Sequence, residues 1–168
     1  MHTSNNDQTG LNLSLILEGL VRADINFILV GGLAAVVQGA PVTTMDVDIV
    51  YERSPENIAR LFTFLKSIKA IYRRLDDQVI RPKEDDFFEM VHALFITQLG
   101  PLDVLAGIEK GQTYEDLLAH TVEIEFKGRT VCVLDLRTLI ALKKGTKDLK
   151  DKQRLPVLEE TLRQLEEK

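Results

Sequence analysis

The chain has 168 residues, of which 45% are hydrophobic and 28% are charged, and its formal net charge is −5. These proportions are typical of a folded globular protein and exclude a disordered chain, and the length suits one domain over residues 1–168. A net negative charge argues against nucleic-acid binding by bulk electrostatics, although it leaves room for a local basic patch.

No apolar stretch of the sequence approaches the ~20 residues that a membrane span needs. Residues 1–10 are polar and lack the apolar region of a signal peptide, and we expect them to form a disordered tail. The sequence therefore predicts a cytoplasmic protein with no membrane partner. Its single cysteine, Cys132, lies in an apolar run and predicts strand packing rather than catalysis.

Helices and strands are predicted to alternate along the first half of the chain. The predicted elements are a helix over 11–23, a strand over 27–30, a helix-like segment over 33–39, a strand over 46–50 and a helix from 54 to about 68. The last of these begins with Ser54, Pro55 and Glu56, which provide an N-cap, a proline in the first turn and an acidic group near the positive helix end.

The second half continues the alternation. The predicted elements are strand or loop over 71–88, strands over 93–97 and 102–105, a short helix from 113, a hairpin of 122–126 with 130–133, a helix over 135–142 and a last helix over 155–165 with Pro156 in its first turn. Because no repeat interrupts this order, we expect an α/β or α+β domain with a mixed β-sheet flanked by helices.

Three aspartates in apolar surroundings are the main candidate functional residues. Asp46 and Asp48 alternate along one predicted strand and so share a face, and Asp103 lies in a later strand. Two like charges so placed repel each other unless a cation neutralises them, and converging carboxylates suit Mg²⁺ or Mn²⁺. The alternative is that these aspartates simply face water at a strand end.

A glycine pair stands between the first predicted strand and the next helix. Gly31 and Gly32 would let backbone N–H groups approach a phosphate at the start of a helix. Glycine turns between strand and helix are also common for structural reasons alone. The spacing matches neither the G-x-G-x-x-G fingerprint nor a P-loop.

The C-terminal third carries a run of basic residues: Arg137, Lys143, Lys144, Lys147, Lys150, Lys152 and Arg154. A solvated helix face is the usual reason for such a run. If the run lies beside a metal site, it would instead contact a triphosphate or an RNA backbone.

A Gly-Gly turn, then T-x-D-x-D on a strand, then a third aspartate on a later strand, resembles the DNA-polymerase-β-like nucleotidyltransferase superfamily. Within it, the chain is most similar to small bacterial proteins related to the AbiEii toxins of type IV toxin–antitoxin systems. The matching segments are 30–35, 39–50, 97–105, 133–136 and 139–143, with Lys150-Asp151 and Leu155-Pro156 beyond.

The resemblance implies the nucleotidyltransferase fold and transfer of a nucleoside monophosphate from an NTP to an acceptor hydroxyl. Asp46, Asp48 and Asp103 would then be the catalytic and metal-binding residues, for Mg²⁺ or Mn²⁺. The candidate nucleotide contacts are Gly31, Gly32, Thr44, Lys143 and Lys150. RNA, a protein or a small molecule would be the acceptor, and an antitoxin a possible protein partner.

Two departures from the resemblance concern arginines. Many relatives carry Arg where Val42 stands and Gly-Arg near Lys147-Asp148, and neither arginine is present here. A guanidinium binds phosphate through two parallel hydrogen bonds, which valine cannot replace and lysine imitates only as a point charge. Two rival readings therefore stay open: a nucleotide- or RNA-binding regulatory or toxin–antitoxin protein without turnover, and a structural partner whose basic helix docks an acidic protein.

Overall fold

The structure is a computed structural model that describes residues 12–168, so the predicted tail over residues 1–10 lies outside it. The strands are β1 (Phe27–Val30), β2 (Val47–Tyr51), β3 (Ile71–Tyr72), β4 (His92–Thr97), β5 (Gly100–Leu105), β6 (Gly107–Ile108), β7 (Gln112–Thr113), β8 (Thr121–Phe126) and β9 (Arg129–Leu134). The α-helices are α1 (Leu13–Arg22), α2 (Gly31–Val37), α3 (Pro55–Ser67), α4 (Asp86–Glu89), α5 (Tyr114–Leu117), α6 (Leu136–Lys144) and α7 (Leu149–Glu166).

One seven-stranded mixed sheet organises the fold, in the order β3-β4-β5-β2-β1-β9-β8, and β6 pairs with β7 in a separate hairpin. In the middle of the sheet, β2 runs antiparallel to β1 and parallel to β5. On the other side of β1, β9 runs parallel to it. The predicted mixed sheet with flanking helices is thus confirmed, and β2 lies between β1 and β5.

The central strands are buried because their side chains are apolar on both faces. All four residues of β1 are buried, and so are Val47, Ile49, Val50 and Tyr51 of β2. Each such side chain contributes roughly 1.5–3 kcal/mol when it is removed from water. This packing places β2, the strand that carries Asp48, within the hydrophobic core.

A buried polar residue, Asn57, joins α3 to the central strands. Its amide oxygen accepts a hydrogen bond from the backbone N–H of Asn26 at 2.6 Å, and its amide nitrogen donates to the carbonyls of Asn26 and Glu52. Because both ends of the amide are satisfied, its burial carries no desolvation penalty from an unmade hydrogen bond. Asn57 therefore fixes the chain before β1 to the chain after β2.

Local sequence signals predicted the starts of several helices and one hairpin turn correctly. Asp135 caps α6 by accepting a hydrogen bond from the N–H of Thr138 at 2.7 Å, and Ser54 caps α3 in the same way. Thr113 and Asp116 form a capping box at α5. The β8–β9 hairpin turns at Lys127 and Gly128, both of which have positive φ angles.

The prediction that the last helix begins at Leu155 is wrong, because α7 begins at Leu149. The carboxylate of Asp148 accepts hydrogen bonds from the N–H groups of Lys150 and Asp151, which caps the helix at the earlier position. Pro156 lies inside the helix, where it removes one backbone donor without ending the helix. The turn that contains Lys150 and Arg154 is therefore helical.

The start of the glycine helix also differs from the prediction. Helix α2 begins at Gly31 rather than at residue 33, so the glycine pair forms its first turn. The segment 71–88, predicted as strand or loop, contains the short strand β3 and is otherwise irregular until α4 begins at Asp86. In the described part of the chain, no helix is long and apolar enough to cross a lipid bilayer.

Candidate functional site

The three aspartates meet at one point of the sheet. Asp46 directly precedes β2, Asp48 is the second residue of β2, and Asp103 lies opposite Asp48 on the parallel neighbour β5. One carboxylate oxygen of each residue lies within 4.8 Å of the corresponding oxygens of the other two. The structure therefore forms the three-carboxylate cluster that the sequence predicted.

The cluster is electrostatically strained without a cation. Burial raises the pKa of the Asp48 carboxyl to about 8, with further contributions from the charges of Asp46 and Asp103 and from a hydrogen bond with Asp103. Burial, followed by the charge of Asp103, also raises the pKa of Asp46. Each shift disfavours the charged carboxylates at neutral pH, as expected for like charges in a desolvated site.

One oxygen of the cluster has no partner. Asp48 Oδ1 is buried and accepts no hydrogen bond from the described residues. A buried acceptor without a partner costs roughly 1–3 kcal/mol, and more when it is charged. Three hard oxygen ligands, one of them unsatisfied, fit a divalent cation such as Mg²⁺ or Mn²⁺.

Gly31 makes room for the Asp48 carboxylate. Its φ angle is +72°, and a Cβ added there would lie 2.2 Å from Asp48 Oδ2. Only glycine adopts this backbone conformation without strain and leaves that space free. The first turn of α2 and the acidic cluster can therefore be in direct contact only because residue 31 has no side chain.

Gly32 and Thr44 lie next to this contact. A Cβ added at Gly32 would lie 2.9 Å from Thr44 Oγ1 and 3.3 Å from Arg154 Nη1. The hydroxyl of Thr44 donates to the carbonyl of Asp46 at 3.3 Å, which supports the loop before β2. The loop, the first turn of α2 and a guanidinium from α7 thus converge beside the carboxylates.

The two candidate lysines occupy different positions. Lys143 lines a cavity of about 210 Å³ that also includes Gly31 and Asp48, and its ammonium donates to Asp151 Oδ1 at 2.9 Å. Lys150 is exposed in the first turn of α7, and its charge acts to lower the pKa of Asp46. Lys143 lies at the site but is already ion-paired, whereas Lys150 lies at the edge.

Sequence reasoning missed two arginines at the site. Arg73 Nη2 donates to Asp103 Oδ1 at 2.8 Å, and Arg154 Nη2 donates to the carbonyl of Thr43. Arg73 falls in the segment 71–88, whose sequence pattern gave no signal of its position. Arg154 belonged to the basic run, but its position beside Gly32 was not predicted because the last helix was expected to begin only at residue 155.

A mixed sheet that presents three carboxylates beside a strand–helix glycine turn is the arrangement of the nucleotidyltransferase fold. The search for similar proteins found no matching family profile and no matching curated protein. Solved structures do match along nearly the whole chain.

Three of these structures illustrate the likeness. The lincosamide antibiotic adenylyltransferase LnuA, in its lincomycin-bound form, has 14% identity and a TM-score of 0.58 over 94% of this chain and 96% of its own. The structure of ANT(2″)-Ia in complex with adenylyl-2″-tobramycin has 15% identity and a TM-score of 0.56 over 95% of this chain and 90% of its own. A Thermotoga maritima protein proposed to be a nucleotidyltransferase has 17% identity and a TM-score of 0.51 over 90% of this chain and 88% of its own. At these identities the likeness establishes the fold of this chain.

Proposed function

We propose that this protein is a metal-dependent nucleotidyltransferase, which moves a nucleoside monophosphate from an NTP to an acceptor hydroxyl and releases pyrophosphate. The observation that carries the proposal is the meeting of Asp46, Asp48 and Asp103, with a buried carboxylate oxygen left without a partner. The solved structures that share the fold include the adenylyltransferase LnuA and ANT(2″)-Ia in complex with adenylyl-2″-tobramycin, which supports the same class of reaction.

In this proposal, Asp46, Asp48 and Asp103 hold two Mg²⁺ or Mn²⁺ ions. When bound, these ions neutralise the phosphate oxygens and stabilise the charge that develops during in-line displacement. Gly31 and Gly32 contribute backbone N–H groups to the β- and γ-phosphates, and Thr44 holds the loop beside them. Asp103 also accepts the proton of the acceptor hydroxyl as the hydroxyl attacks the α-phosphorus.

The raised pKa of Asp48 fits this role. In the metal-free protein, Asp48 holds a proton at neutral pH because its ionised form is buried among other carboxylates. A cation must displace that proton to gain a carboxylate ligand, so its affinity should increase with pH. Arg73 would stay near Asp103 and offset part of its charge.

The rival proposal is a nucleotide- or RNA-binding protein without turnover, such as a component of a toxin–antitoxin pair that also binds an antitoxin. The valine at position 42 favours this rival, because its half-buried side chain packs against the core and offers no phosphate contact. The carboxylate cluster opposes it, since three acidic groups in a desolvated site are costly when no cation is bound there.

Incubation with each of the four α-³²P-labelled NTPs, Mg²⁺ and a cell extract tests the proposal. Transfer of label to RNA, to protein or to a small molecule would identify the acceptor class and support the enzyme. Asp103→Asn should abolish this transfer, because it removes both the metal ligand and the proton acceptor. Binding of NTP by the wild type without transfer to any acceptor would favour the rival.

A further inference from the structure

A guanidinium from the C-terminal helix reaches the proposed nucleotide site. We propose that Arg154 binds the polyphosphate of the substrate. This inference rests on the proposed function, because it concerns the same site.

The position of Arg154 is the first argument. Its Nη1 atom would lie 3.3 Å from a Cβ added at Gly32, so the guanidinium lies against the first turn of α2, next to the residue that contacts Asp48. The side chain reaches this point because Asp148 starts α7 early enough for residue 154 to lie on a formed helix. A partly buried arginine held there by the fold loses little side-chain entropy when it binds a ligand.

The free donors of this guanidinium are the second argument. Within the described chain, its one hydrogen bond runs from Nη2 to the carbonyl of Thr43. A guanidinium carries five N–H donors in a planar fork. The bond to Thr43 therefore restrains the position of the group and leaves donors on Nη1 and Nε for another acceptor.

The ion pairs of the neighbouring cations are the third argument. Arg73 is paired with Asp103 and Lys143 with Asp151, both at short distances. Arg154, in contrast, forms no salt bridge with any carboxylate of residues 12–168. Asp46 is near enough for the charge of Arg154 to lower its pKa, but a bound cation would neutralise that carboxylate. The remaining partner for the guanidinium is then an anion in the cleft, and phosphate matches its geometry.

The test compares the binding of three probes, each with Mg²⁺: ATP, inorganic tripolyphosphate and AMP. Arg154→Ala should weaken ATP and tripolyphosphate by about 10- to 100-fold, the loss expected for charge-assisted hydrogen bonds, and should leave AMP within about twofold of wild type. The affinities of Arg154→Lys for ATP and tripolyphosphate should lie between those of wild type and Arg154→Ala, since an ammonium is a point charge without the planar fork of donors. Lys152→Ala, which removes one exposed positive charge from the same helix, is the matched control and should leave all three affinities unchanged.

A purely structural role of Arg154 would give a different result. If the residue only ties α7 to the loop at Thr43, then Arg154→Ala should lower the melting temperature and weaken ATP and AMP by the same factor, which would overturn the inference. Unchanged ATP affinity in Arg154→Ala would also overturn it. If Arg154→Ala leaves the ATP affinity unchanged but Asp46→Asn abolishes ATP binding, the proposed function still stands and only the inference about Arg154 fails. A wild-type protein that binds neither tripolyphosphate nor any NTP would overturn both together.

Discussion

Replacement of Asp48 by asparagine should stabilise the metal-free protein, increasingly so at higher pH. Asparagine keeps the shape of the side chain, removes its charge, and presents an amide that can donate to Asp103 as the protonated carboxyl does. In the wild type, the folded-state pKa of about 8 lies above the ordinary value of 3.8, which the unfolded chain keeps. Between these two values the folded protein holds a proton that the unfolded chain has lost. Asp48 therefore destabilises the fold progressively as pH rises from about 4 to about 8, and by a constant amount above that.

The size of the effect follows from the geometry of the cluster. Two charges 4.8 Å apart repel by about 3.5 kcal/mol at an effective dielectric constant of about 20, and Arg73 offsets part of this. Linkage sets an upper limit of about 1.4 kcal/mol per pH unit. We therefore expect the advantage of Asp48→Asn in unfolding free energy to grow by roughly 3 kcal/mol between pH 5 and pH 8.5. For a chain of this length, that corresponds to about 6–12 °C in Tm.

Thermal and urea unfolding in EDTA, at pH 5, 7 and 8.5, measures this difference directly. Asp77→Asn removes an exposed carboxylate in the segment 71–88 and is the control, for which we expect no pH-dependent difference from wild type. A difference in unfolding free energy between wild type and Asp48→Asn that stays constant from pH 5 to pH 8.5 would refute the reasoning. It would show that Asp48 does not titrate in the folded protein as its burial implies.

Three further changes test other parts of the account. Asp46→Asn should leave the metal-free Tm equal or slightly higher and abolish the Tm increase caused by Mg²⁺-ATP, so an increase that persists would place the ligand elsewhere. Gly31→Ala should lower the free energy of unfolding by clearly more than Gly128→Ala. Gly128 has a similar φ of +78°, but a Cβ added there meets nothing within 4 Å. Equal losses of unfolding free energy in urea would show that the contact with Asp48 has no energetic consequence. Asp148→Ala should cost about 1 kcal/mol, or about 2–4 °C in Tm, by removing the cap of α7, and an unchanged Tm would contradict that role.

The parts of the fold that the sequence predicted well are those that depend on local chemistry. The cap at Asp135, the turn at Lys127-Gly128 and the strand 27–30 each follow from residue types within one turn or one strand. Two of the three carboxylates were predictable for a similar reason, because D-x-D alternation puts Asp46 and Asp48 on one face. That Asp103 joins them depends on the pairing of β2 with β5, which only the resemblance indicated.

The failures arise where two local signals compete, or where a position depends on a contact that is distant in sequence. Pro156 favoured a helix start because proline is common in the first turn, but the cap at Asp148 decided the boundary. Arg73 could not be placed, since its position depends on the two-residue strand β3 and its contact lies 30 residues away in sequence. The cations of the site were therefore the least predictable part, whereas the carboxylates were the most predictable.

The measurement that tests the central claim most directly is a crystal structure of the protein with Mn²⁺ and a non-hydrolysable NTP, with Mn²⁺ located by its anomalous scattering. The account predicts two Mn²⁺ ions about 3.5–4 Å apart, held by Asp46, Asp48 and Asp103, with the triphosphate beside Gly31 and within hydrogen-bond distance of Arg154. Mn²⁺ and the triphosphate bound at another place, with the three carboxylates free of metal, would contradict it.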